Sequence, residues 1–198
     1  DSILAELVDA EYMVGREAKS TFGEEFGLPE ADKKTMGMSL MIQAHETDHK
    51  VDFIAPDWAY KFTTDEEMKF KPHECLDKIN TNFYWIELGG EADSIHDTEK
   101  VRDELLKVAY GVWDHMKNHG EHGADNWELD FIGFLPGKRE SRRYVGDYIM
   151  TQQDVETGRQ FPDEVAYGGW QIDNHLPGGF AMSGKGEGHL QKKRLREP

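Results

Sequence analysis

Between residues 94 and 123 the chain reads "SIHDTEKVRDELLKVAYGVWDHMKNHGEHG", and Val101, Leu105, Val108, Val112 and Met116 recur there at steps of three or four. That period places them on one stripe of an α-helix. Asp97 stands where an N-cap is wanted, and Glu99 and Asp103 suit the positive N-terminal end of the helix dipole. His115, Lys117 and His119 suit the negative end, and Gly120 offers a left-handed stop. A helix of that extent runs about 30 Å, enough to back a sheet.

Shorter apolar runs predict strands. "MGMSLMIQAH" and "VDFIA", separated by the polar "ETDHK", read as a hairpin. The aromatic and polar mixture that follows shows no sustained period and is read as loop, with one strand near Phe83 to Leu88. After the helix, "WELDFIGFLPGKRESRRYVGDYIM" predicts two strands around a Pro136-Gly137 turn, the second opening on a basic cluster. "TQQDVETGRQFPDEVAYGGW" predicts a short helical turn, a break at Pro162 and a strand ending in paired glycines. The sum is an α+β domain, a mainly antiparallel sheet with one long covering helix, over residues 1–180. Residues 181–198 read as a flexible basic tail.

Composition narrows the function classes. The chain has 198 residues, 37% hydrophobic, and a formal net charge of -16. Such a charge repels phosphate backbones and anionic bilayers, so neither nucleic acid nor membrane is an expected partner. Cys75 is the single cysteine, which rules out an internal disulfide and fits a reducing, cytoplasmic setting. No apolar run approaches a membrane span. The sequence begins at Asp1 without Met, so a leader or preceding domain would lie outside it.

Lys138, Arg139, Arg142 and Arg143 crowd into six positions of this acidic chain. Strand alternation would send Arg139 and Arg143 to one face, Lys138 and Arg142 to the other. A planar guanidinium grips carboxylates and phosphates through paired hydrogen bonds, so an anionic small molecule is one reading. Pairing with the chain's own 39 Asp and Glu is the other, with Glu140 and Asp147 nearest at hand. His115, His119 and His122 fall at i, i+4 and i+7, but Gly120 and Gly123 should end the helix before the third. No metal site is therefore expected. No G-x-S-x-G elbow is present, Cys75 in "PHECLD" has no distinguishing context, and "SGKGEGH" follows no strand and opens no helix. In "AYGGWQIDNHLPGG", paired glycines flank Trp170, Asp173 and His175, which would let backbone approach a flat ligand, or simply build a tight turn.

Taken in order, "AEYMVGRE", "DKKTMGMSL", "YGVWDHMKN", "DNWELDFIGFLPGKRESRRYVGDYIMTQQDV" and "FPDEVAYGGWQIDNHLPGG" resemble the middle of bacterial FAD-dependent oxidoreductases, related in fold to the glutathione-reductase-like flavoproteins. The likeness covers roughly residues 1 to 180, and its most specific block runs from Trp127 to Val155. It implies a substrate-side or cap region, cut off or encoded separately from the Rossmann segment that holds FAD. FAD would then not be bound by this chain alone. The roles it implies are His175 and Arg139 as catalytic groups, Arg142, Arg143 and Tyr148 toward an anionic substrate, and Trp170 and Asp173 toward the cofactor. Fixed positive charge would stabilise reduced flavin, and His175, oriented by Asp173, would move a proton. The implied partner is an FAD-binding segment or chain, with self-association into a homo-oligomer as the other cover for exposed apolar surface. A non-catalytic ligand-binding or assembly module that keeps the fold without the cofactor is the alternative.

Overall fold

The computed structural model describes residues 3–68, 83–166, 168, 173–182 and 190–191. In chain order the elements are α1 (Leu4–Leu7), β1 (Tyr12–Met13), α2 (Lys19–Phe22), β2 (Met38–Glu46), a 3₁₀ turn (Asp65–Met68) and β3 (Phe83–Leu88). Then come α3 (Thr98–Asn118), β4 (Trp127–Ile132), β5 (Arg143–Tyr144), α4 (Gln152–Thr157), β6 (Asp173–Asn174), a 3₁₀ turn (Gly179–Met182) and β7 (Leu190–Gln191). The class is α+β, and every pairing between these strands is antiparallel.

β2 is the centre of the main sheet, in the order β3-β2-β4. Its alternate residues Met38, Leu40, Ile42 and Ala44 are buried, as a one-sided strand requires. They meet the predicted stripe of α3, whose Val101, Leu105, Val108, Val112 and Met116 are all buried in the same core as Ile86, Met68 and Phe180. α3 is covered on a second side by residues 53–62: Phe53 packs edge-on to Trp113 at 6.5 Å and Trp58 edge-on to Tyr110 at 5.0 Å. The helix tolerates Gly111 there because any Cβ would collide with the carbonyl oxygen of Tyr60. The opposite sheet face exposes Met41 beside its register partner Trp85, and Phe131 beside Gln43.

Three expectations change. "VDFIA" is not a strand: Val51 donates to Asp125 O, the Phe53 carbonyl accepts from Asn118, and Ile54 is 91% exposed. β2 pairs instead with β3 and β4, both distant in sequence. The strand expected after Pro136-Gly137 shrinks to a bridge between Gly137 and Ser39 and to two-residue β5, which pairs with β1 rather than β4. Residues 164–166 form no strand. The ends of α3 also differ in detail. Asp97 occupies the N-cap position but spends its carboxylate on Lys100 Nζ, at 2.6 Å. At the other end His119 is the C-cap and Gly120 follows with φ 127°. Lys117 then ties the helix to β4, donating to the carbonyls of Ala124, Asp125 and Trp127 at 2.7, 3.0 and 2.9 Å.

α4 carries its own start signal. Thr151 and Asp154 form a reciprocal capping box, and Gly158 ends the helix in the left-handed region. Leu190–Gln191, inside the stretch read as tail, pairs with Asp173–Asn174. No helix among the described residues is long and apolar enough to cross a membrane.

Candidate functional site

Arg139, Glu87 and His175 come from three separate segments and meet at one point. Glu87 stands opposite Ser39 in the β2–β3 register, and on its other edge Ser39 bridges Gly137 through two backbone hydrogen bonds of 3.0 and 2.7 Å. Ser39 thus sits between Glu87 and the start of the basic stretch, and Arg139 reaches past it to ion-pair with Glu87. His175 arrives on a loop docked to the end of β3, where Gly90 N donates to Pro177 O at 2.8 Å. Gly179, at φ 53°, lies against the Glu87 carbonyl so closely that a Cβ has no room.

The Glu87 carboxylate, 9% exposed, accepts from Arg139 and lies 2.8 Å from His175 Nδ1. A carboxylate only accepts, so Nδ1 carries the hydrogen. Arg139 lies 3.2 Å from both ring nitrogens of His175, and with Nδ1 carrying the hydrogen only Nε2 can accept from the guanidinium. The cluster holds one tautomer, with the ring nitrogen able to take a proton turned toward the arginine.

The other arginines go elsewhere. Arg142 is buried, ion-pairs with Glu6 and lies over the Tyr12 ring at 5.5 Å. Tyr12, and then Glu6, hold its guanidinium even more firmly protonated than usual. Arg143 pairs with Glu140 and with Glu17 at 2.6 Å, and donates to Gly15 O. The irregular backbone of residues 138–142 dissolves the expected alternation, and each arginine meets its own glutamate. Burial lowers the ammonium pKa of Lys138.

Arg143 and Tyr148 do share a cavity of about 250 Å³ with Met13, Phe22, Tyr144 and Met150, and Arg142 does not line it. Glu17 and Glu24 also line it, so its walls carry two acids against one base. That balance disfavours an anionic guest there. Tyr148 donates to Asp154 at 2.7 Å and receives Arg159 at 2.6 Å, which makes it a brace for the α4 cap. Asp154, held by the Thr151 N–H first and Tyr148 next, stays ionised well below the usual carboxylate range.

Trp170 lies outside the described residues, as do His73 and Cys75. Asp173 is placed in β6 by its backbone. Sequence reading missed Glu87, which orients both catalytic candidates. Its signal was an acid inside the otherwise apolar "FYWIEL", just before two glycines. Gly179 closes a turn onto Leu176 O and admits the backbone of β3 beside it.

The histidine run follows the expected helix end and then departs from it. α3 ends at Asn118 as the glycines predicted, yet the chain turns back at Gly120 and brings His122 beside His115, ring centroids 4.7 Å apart. Asp65 joins them, and one ligand atom from each of the three residues falls within 4.8 Å of the others.

Among the described residues, an antiparallel sheet under one long helix, with a His–Glu–Arg cluster at its edge, defines an α+β unit without a parallel nucleotide-binding layer. Residues 1–194 match the family model for FAD dependent oxidoreductase, and the chain belongs to that family. No curated protein matches it, and no solved structure does. The family's cofactor can be tested against the residues. The dinucleotide half of FAD needs a parallel β-α-β unit with a glycine-rich turn at a helix N-terminus. Among the described residues none is formed, because β1 to β7 pair only antiparallel. These residues do not fit that half of the cofactor, and no reaction step is derived through it.

Proposed function

We propose that this chain is the substrate-side portion of an FAD-dependent oxidoreductase, acting on an anionic small molecule by hydride transfer when an FAD-binding segment or partner chain completes the site. The observation that carries this reading is the convergence of Arg139, Glu87 and His175 from three distant segments. Arg139 is 32% exposed, so its guanidinium has an outward edge for a substrate anion while Glu87 holds the inner one. His175, its tautomer set by Glu87, takes at Nε2 the proton that leaves substrate with the hydride, once the substrate anion has drawn the Arg139 guanidinium off that nitrogen. The exposed apolar face bearing Met41, Trp85 and Phe131 is the surface an FAD-binding segment would cover.

The test uses the chain joined to an FAD-binding segment of its family. Bleaching of the flavin absorbance by substrate should slow strongly in His175→Gln, and Arg139→Gln should raise KM more than it lowers kcat. Unchanged kinetics in both would remove the cluster from the site. The isolated chain should purify without stoichiometric flavin, and a tightly bound equivalent would overturn the division of labour. A second reading, a non-catalytic ligand-binding or assembly module, draws on the fact that Arg139, Arg142 and Arg143 each already face a glutamate. It predicts normal assembly of both variants and no flavin reduction by any anion.

A further inference from the structure

We propose that Asp65, His115 and His122 form a binding site for a divalent transition metal, zinc above all, separate from the Arg139–Glu87–His175 cluster. His115 is fully buried at the C-terminal end of α3, and its Nδ1 lies 2.9 Å from the carbonyl oxygen of Phe62. A carbonyl only accepts, so Nδ1 bears the hydrogen and Nε2 presents its lone pair. That nitrogen faces Asp65 Oδ1 at 3.3 Å. Two acceptors at that distance need a cation between them, either a proton or a metal.

The third group decides for a metal. His122 Nε2 lies 3.7 Å from the same Asp65 oxygen, and one ligand atom from each of the three residues falls within 4.8 Å of the others. Zinc bound tetrahedrally at about 2.0–2.1 Å sets its ligand atoms about 3.3–3.4 Å apart. The observed 3.3 and 3.7 Å lie close to those edges, so small side-chain shifts close the site. Three protein ligands with an exposed approach leave a fourth position for water, and Asp65 is 68% exposed. The Phe62 carbonyl acts as the outer partner that orients a ligating imidazole.

The surrounding residues are shaped to this end. Glu67 accepts from the backbone N–H of Thr63 and Thr64, at 2.6 and 3.1 Å, which forms the turn that presents Asp65. Gly120, at φ 127°, reverses the chain, and a Cβ there would come within 2.5 Å of His122 Nε2. His119, the i+4 partner of His115, turns away to Asp114, 3.4 Å from its Oδ2. His122 Nε2 also lies 3.2 Å from His119 O, so metal binding moves its hydrogen to Nδ1, a tautomer change with no net charge. The ion braces the 3₁₀ turn, the end of α3 and the 119–123 loop together. Behind them, the Phe62 ring packs on Phe180 at 5.4 Å.

The experiment strips the full chain with a chelator and titrates it with Co²⁺, then displaces the cobalt with Zn²⁺. One equivalent of Co²⁺ should give the intense visible band of a four-coordinate ion, and zinc should abolish it. Asp65→Asn, at an exposed residue, and His122→Gln, at a buried one, both checked for folding by circular dichroism, should each weaken zinc by more than the roughly 10–100-fold that loss of an outer partner costs. His119→Gln should bind zinc as the parent does. The proposal fails if no four-coordinate band appears, if Asp65→Asn and His122→Gln together leave zinc affinity intact, or if His119→Gln abolishes it. Failure here leaves the oxidoreductase reading untouched, since no flavin enters the measurement.

Discussion

Replacing Glu87 by Gln keeps the shape of the side chain and turns one of its two acceptor ends into a donor. In the parent, the carboxylate faces donors on both sides, Arg139 and His175 Nδ1–H. In the variant the carbonyl end serves only one. If it keeps Arg139, the new NH₂ faces His175 Nδ1, and the ring must move its hydrogen to Nε2. Nε2 then meets the Arg139 nitrogen at 3.2 Å, donor against donor. Either orientation loses a hydrogen bond to a charged group, worth about 1.5–3 kcal/mol net. Arg139 is one-third exposed, so water recovers part of its share and the expected cost is about 1–2 kcal/mol. With a urea slope of about 2–3 kcal/mol/M, the midpoint should fall by roughly 0.3–1 M. Tryptophan fluorescence gives the midpoint, and ring ¹⁵N shifts give the His175 tautomer. A cycle of Glu87→Gln, Arg139→Gln and both should show a coupling of about 1–2 kcal/mol. Additive costs with an unchanged His175 tautomer would refute the cluster as a physical unit.

Lys117→Met should destabilise the fold by about 2–4 kcal/mol in the same urea titration, because three carbonyls at the α3–β4 junction lose a shared ammonium donor. A loss below a few tenths would show that water replaces the ammonium. Gly179→Ala should displace the loop that carries His175, since its Cβ collides with the Glu87 carbonyl. The His175 ring signals should shift while the α3 amides stay protected, and an unperturbed His175 spectrum would contradict the packing. Asp93 accepts hydrogen bonds first from the His96 ring and then from the N–H groups of His96 and Ile95, and its pKa is lowered from 3.8 to about 2. A depressed carboxylate stabilises the fold fully above its unfolded pKa and loses that contribution as pH falls toward its folded one. Asp93→Asn should thus be less stable than the parent at pH 6, with the gap closing between about pH 4 and pH 2; a gap independent of pH would oppose this.

Some features were local and therefore readable. The spacing of Val101, Leu105, Val108, Val112 and Met116 predicted one buried stripe, and all five are buried in α3. β3 at Phe83–Leu88, β4 at Trp127–Ile132 and the α4 turn were likewise readable, because apolar period, capping residues and glycine stops act within a few positions. Which strands β2 would pair with was not readable. A polar turn such as "ETDHK" makes a hairpin only if both arms can use their backbone in a ladder, and here the Val51 N–H goes to Asp125 O and the Phe53 carbonyl accepts from Asn118.

The candidate site divides the same way. The sequence offered Lys138, Arg139, Arg142, Arg143 and His175 as candidate residue types, and the family match agrees with the class of protein those segments resemble. Glu87 stayed hidden because its importance lies in two partners, 52 and 88 residues away. Arg142 and Arg143 likewise found Glu6 and Glu17, carboxylates far along the chain that nothing local marks. His122 shows the limit most plainly: the glycines were expected to end the helix before it could join His115, and the reversal at Gly120 brought the two rings together through the fold. Sequence determined the elements and the supply of charged groups, since backbone period and side-chain chemistry belong to each segment. Tertiary structure decided which charges met, because a long arginine or a returning loop takes its partner from whatever packing sets beside it.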